Sequence, residues 1–135
     1  MEDTLFTKII KGEVPCYKIA EDENFFAFLD ISPIAKGHTL VITKLQNDYI
    51  FDLPDDLLGK MMIFAKKVAV GIKKALPCKR IGVAVIGIDV PHNHIHLVPI
   101  NGVGDLNFKA ERLQLTPEEF QQIADSIAKE VALNN

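Results

Sequence analysis

Three of the chain's four histidines fall in one short stretch, Pro91-His92-Asn93-His94-Ile95-His96-Leu97-Val98-Pro99. In an extended strand, alternate side chains share a face. The spacing therefore places His92, His94 and His96 together, with Asn93, Ile95 and Leu97 opposite them. Each imidazole carries polar nitrogens that need partners, so three on one face are costly in a plain core. Three readings fit this pattern. The first is a surface strand on which histidines happen to alternate. The second is a metal site, because imidazole is a common ligand, with Asp89 the one close carboxylate. The third is nucleophilic or acid–base catalysis, since an ordinary histidine titrates near pH 6.5 and is largely neutral at neutral pH.

Those rings need a scaffold, and the surrounding pattern supplies one. Residues 94–100 read as a strand, as do 17–20, 24–30 and the β-branched run 38–43. Residues 81–88 form a further apolar run, broken by Gly82 and Gly87 and too short for a helix. Leu5-Phe6-Thr7-Lys8-Ile9-Ile10 reads as one or two helical turns stopped by Gly12. Beyond Pro54 the period changes to that of a helix. Leu57, Leu58, Met61, Ala65, Val68, Ala69 and Ile72 share a stripe, Asp55 and Asp56 complement the start, and Pro77 ends it. In the tail, Thr116, Pro117 and Glu119 form a helix start signal ahead of Phe120, Ile123, Ala124, Ile127 and Val131. Residues 101–114 read as a polar loop. The fold class is α+β, an antiparallel sheet with helices expected on one face.

Composition narrows the function. The 135 residues suit a single domain, 1–135, with 48% hydrophobic and 24% charged residues. A net charge of −3 offers no general attraction to a nucleic-acid backbone or an anionic membrane. The start lacks the basic and apolar pattern of a signal peptide, and no apolar run approaches the roughly 20 residues of a membrane span. Cys16 and Cys78 form neither a redox pair nor a metal motif. The expected location is the cytoplasm.

The stretch His92-Asn93-His94-Ile95-His96-Leu97-Val98 resembles the His-φ-His-φ-His-φ-φ signature of the histidine triad (HIT) family, with Asn93 at a position usually apolar. Phe25-Phe26-Ala27-Phe28-Leu29-Asp30-Ile31-Ser32-Pro33 and Gly37-His38-Thr39-Leu40-Val41-Ile42 resemble two further family segments in the right order. The opening, residues 5–15, fits as well. The likeness covers about 4–99 and leaves 100–135 as a C-terminal extension. It implies a HIT-like fold, a five-stranded antiparallel sheet with two main helices, here with a C-terminal helix added. It also implies a homodimer and a purine nucleotide or nucleotide conjugate as ligand.

By the same resemblance, His94 is the nucleophile in a hydrolase or transferase of nucleoside monophosphate units, forming a covalent nucleotidyl-histidine. One His94 nitrogen is expected to donate to the main-chain carbonyl of His96. His92 and His96 are expected to flank the phosphate, and His38 to support the triad. Asp30 would take the ribose hydroxyls, and Phe6, Phe28, Ile31 and Leu40 the base. Main-chain N–H groups near Gly87 to Val90, with Gly87 and Asp89 among them, would cradle the phosphate, although Ile88 and Asp89 stand where many relatives have Gln and Ser or Thr. No cofactor and no metal are expected. Some bacterial members hold a structural zinc with a Cys-x-x-Cys and a histidine, and here those positions are Thr4, Thr7 and Gln46. Two alternatives remain open, a non-catalytic nucleotide-binding module and a metal-binding protein built on the three histidines.

Overall fold

A computed structural model describes residues 2–134. Its elements run α1 (Leu5–Ile10), β1 (Lys18–Glu21), β2 (Phe25–Leu29), β3 (Thr39–Thr43), α2 (Asp55–Ala75), β4 (Arg80–Ala84), β5 (His94–Ile100) and α3 (Pro117–Glu130). Short 3₁₀ turns at Ile50–Asp52 and Val103–Asp105 join them. The five strands make one antiparallel sheet in the order β1-β2-β3-β5-β4. Among the described residues, no helix is long and apolar enough to cross a membrane.

The sheet is covered on both faces, not one. Its strands are apolar at consecutive positions as well as alternate ones, and every residue of β2 and β3 is buried. Only cover on each side satisfies such a run. Phe25, Ala27, Leu29, Val41, Ile95 and Leu97 point toward α2 and α3, where Met61, Phe64, Val68, Ala124 and Ile127 complete the larger core. Phe26, Phe28, Leu40 and Ile42 point the other way and pack with Phe6 and Ile9 of α1. His94 and His96, out of phase with Ile95 and Leu97, fall on this second face.

The helix ends follow from local chemistry. Asp55 and Asp56 lie in the first turn of α2, and Lys73 and Lys74 in its last, each complementing the dipole. Thr116 Oγ1 accepts from the Glu119 N–H at 3.1 Å, and Glu119 Oε1 accepts from the Thr116 N–H at 3.0 Å, a reciprocal cap on α3. The Thr4 hydroxyl accepts from the Thr7 N–H and so caps α1.

Candidate active site

The second face of the sheet is only partly covered by α1, which leaves a cavity of about 490 Å³. His94, His96, Asp30 and Ile31 line it, as do Phe6, Phe28 and Leu40 on the apolar side. Gly87 and Asp89 come from the loop between β4 and β5. Gly87 has φ +70°, a left-handed conformation that favours glycine. The structure thus gathers nine of the eleven residues singled out above around one space. The other two, His38 and His92, are fully buried behind it.

His94 is oriented by a single strong contact. Its Nδ1–H donates to the main-chain oxygen of His92 at 2.7 Å, which leaves Nε2 as the free nitrogen when the ring is neutral. The expected acceptor, the carbonyl of His96, is corrected by this geometry. His96 lies inside the sheet opposite Leu40 and Ala84, where main-chain groups serve the ladder. His92 precedes the strand, in a bend, and its carbonyl is available. The Phe6 ring stands edge-on to His94 with centroids 5.1 Å apart and fixes the imidazole from the α1 side.

His92 does not share the cavity face with His94 and His96, as alternation along a strand predicts, but is fully buried behind it. Because the strand begins at His94, the alternation does not extend to residue 92. Its Nε2–H donates to the Thr43 carbonyl at 2.7 Å, and its Nδ1 lies 2.7 Å from the Thr4 hydroxyl. Both nitrogens are therefore used within the protein. Burial holds its pKa below the ordinary value, although the Thr43 carbonyl works the other way.

A second ordered chain runs behind His96. The Ile34 N–H donates to His38 Nδ1 at 3.2 Å, so the neutral His38 carries its proton on Nε2. That Nε2–H faces His96 Nδ1 at 3.0 Å, leaving His96 with Nε2–H as its remaining donor. Burial, joined by the charges of Arg112 and His94, lowers His38 to about 4. Burial, followed by His94 and His38, lowers His96 to about 4 despite Asp30. Both rings are neutral at pH 7, and the 3.6 Å approach of His38 Nε2 to Asp30 Oδ2 is not an ion pair there. Asp30 itself is raised, chiefly by burial, while a hydrogen bond from the Ser32 N–H and the charges of His96, Arg112 and His94 act against this. Its Oδ1 accepts from Ser32 N at 2.8 Å, which stiffens the turn after β2.

The metal reading is relocated. Among the described residues, the ligating atoms that converge within 4.8 Å belong to Asp30, His38 and His96, not to the three alternating histidines. Two of those atoms already face each other across the His38–His96 hydrogen bond, which a metal would have to break. At Thr4, Thr7 and Gln46, where the resemblance places the structural zinc of some bacterial members, two hydroxyls and a carboxamide supply neither thiolate nor imidazole. They bond one another instead: Thr7 Oγ1 donates to Gln46 Oε1 at 2.6 Å, and the Thr4 N–H donates to the same oxygen at 3.0 Å. These residues do not suit zinc.

The cavity has a wall that sequence reasoning missed. Phe108 and Arg112, in the stretch read as a polar loop, both line it. Phe108 lies against His96 with centroids 4.7 Å apart. Arg112 donates to the main-chain oxygens of Ser32 at 2.9 Å and Phe108 at 3.0 Å, tying this loop to the turn that carries Asp30. An aromatic and an arginine in an otherwise polar loop were the available signal.

On this α+β sheet, a histidine aimed by a main-chain carbonyl lines an apolar cavity with a carboxylate at its side. The chain belongs to the HIT family: the family's domain model, "HIT domain", matches residues 11–102. A Bacillus subtilis protein named "hit" is 36% identical over 141 residues, covering 97% of this chain and 96% of its own length. The adenosine 5′-monophosphoramidase of Schizosaccharomyces pombe is 32% identical over 130 residues, covering 94% of this chain and 97% of its own. Among solved structures, a Hit-like protein of Bartonella henselae superposes with a TM-score of 0.81 at 28% identity, covering 95% of this chain and 96% of that one. Phe108 and Arg112 lie beyond the matched family region.

Proposed function

We propose that the protein hydrolyses or transfers nucleoside monophosphate units, with adenosine 5′-phosphoramidates as the substrate class and His94 as the nucleophile. The observation that carries this reading is the Nδ1–H bond of His94 to the His92 carbonyl, which leaves Nε2 as the attacking lone pair. The purine lies against Phe6, Phe28, Ile31 and Leu40, and the ribose hydroxyls donate to Asp30. Nε2 of His94 attacks the α-phosphorus and the P–N bond breaks. The amine leaves with a proton from solvent, and a nucleotidyl-imidazole remains. His96 Nε2–H donates to a phosphate oxygen and stabilises the developing charge. Water then attacks phosphorus, releasing the nucleoside monophosphate and the neutral imidazole. The similarity to the fission-yeast phosphoramidase supports this substrate class.

The test is AMP release from adenosine 5′-phosphoramidate, in chelator, by wild type and His94→Ala. Release by wild type alone supports the reading. A binding-only module is favoured by one feature, the exposed Asp89 carboxylate on the cavity wall where an anion must sit. AMP binding without release or a covalent adduct would select it, and turnover lost in chelator would select a metal enzyme.

We further propose a homodimer joined along β4. This strand is an outer strand of the sheet, and Val83 on it, with Met62 and Ile63 on α2, is exposed and apolar.

A further inference from the structure

We propose that Thr4 is a positioning residue for the nucleophile, acting through His92. This inference rests on the reading of His94 as nucleophile. The polar contacts around His92 have one consistent direction. A carbonyl only accepts, so the Thr43 oxygen requires a proton on His92 Nε2. In the neutral ring Nδ1 is then an acceptor, and the Thr4 hydroxyl, 2.7 Å away, donates to it. Thr4 has one hydroxyl proton, so toward Thr7 its oxygen only accepts, here from the Thr7 N–H at 3.1 Å. Thr7 sends its own hydroxyl proton to Gln46 Oε1, and Gln46 Nε2 donates to the main-chain oxygen of Glu2 at 2.8 Å.

The consequence reaches the chemistry. His92 is held at both ring nitrogens, by β3 through Thr43 and by the start of α1 through Thr4. A ring pinned at two points fixes its own main chain, and its carbonyl is what holds His94 Nδ1. Thr4 thus couples the cap of α1 to the aim of His94. This chain holds the junction with a directed set of hydrogen bonds, and the proton on Thr4 sets its direction.

Substitution of Thr4 separates this role from helix capping. Thr4→Asp keeps a capping oxygen for the Thr7 N–H but has no proton to give His92, and its carboxylate draws a proton onto Nδ1 instead. Thr4→Ser keeps both functions. The readouts are imidazole ¹⁵N shifts at pH 7 and steady-state hydrolysis of adenosine 5′-phosphoramidate. In wild type the expected state is His92 with Nε2–H alone and His94 with Nδ1–H alone. In Thr4→Asp, His92 becomes doubly protonated, and kcat falls about tenfold with KM within twofold. Thr4→Ser restores both signatures. A wild-type His92 protonated on Nδ1 overturns the assignment without any variant, which covers the case of a Thr4→Asp chain that fails to fold. Wild-type kcat in Thr4→Asp, or equal damage in Thr4→Ser, also overturns it. A chain that hydrolyses no phosphoramidate at all refutes the proposed activity, while the ¹⁵N shifts still decide the role of Thr4.

Discussion

His38 and His96 are neutral because they are buried, and that has a cost in acid. Both have folded pKa values lowered to about 4 from the ordinary 6.5. Between those values the unfolded chain binds more protons than the folded one, so stability is fully present above about pH 6.5 and is lost as pH falls toward 4. Each ring contributes a slope of up to about 1.4 kcal/mol per pH unit. Asp30, raised above its usual value, acts in the opposite sense nearer pH 4. Denaturant unfolding from pH 7 to 4.5 is expected to show this loss, and His38→Gln should flatten its slope by about one proton. An unchanged slope would contradict the burial argument. At the same scale, Asp30→Asn should weaken AMP binding about tenfold by calorimetry, because an anionic acceptor for the ribose hydroxyls becomes a neutral one.

At the scale of elements, the turn before β3 is tightly constrained. Gly37 has φ +91°, and a Cβ there would run into Leu76 Cδ1 and lie 3.4 Å from Pro99 Cγ. Gly37→Ala should cost about 2 kcal/mol in denaturant unfolding and displace His38, its neighbour. A variant as stable as wild type would show that the α2 end can yield. Most elements were legible in the sequence. The helical stripe from Leu57 to Ile72 lies within α2, the Thr116 signal begins α3, and residues 94–100 coincide with β5. The motif also pointed to the residues around the cavity. Alternation failed at His92, because a bend precedes β5 and the period of a strand says nothing outside the strand. The acceptor for His94 Nδ1, which the resemblance places at the His96 carbonyl, is instead the carbonyl of His92 in that bend. For Phe108 and Arg112 the loop's composition gave a signal, but their roles, like that of Thr4, depend on contacts between segments distant in sequence. Local period cannot report such contacts.

For the whole molecule, the proposed dimer makes a direct prediction. Val83→Glu places a charge on the exposed edge of β4 and should give a monomer by analytical ultracentrifugation, with the wild-type chain running as a dimer. A wild-type monomer, or a variant that stays dimeric, would remove β4 as the joint. The cavity has its own whole-molecule meaning. Its walls come from α1, the turn after β2, the loop between β4 and β5, and the loop holding Phe108 and Arg112. A ligand filling it is therefore a cross-brace between segments that otherwise open separately. Its binding energy is spread over them, and local opening anywhere along the walls must first release the ligand. Amide hydrogens of α1 and of the loop around Phe108 should then slow together on AMP binding, although one segment lies near residue 5 and the other near residue 110.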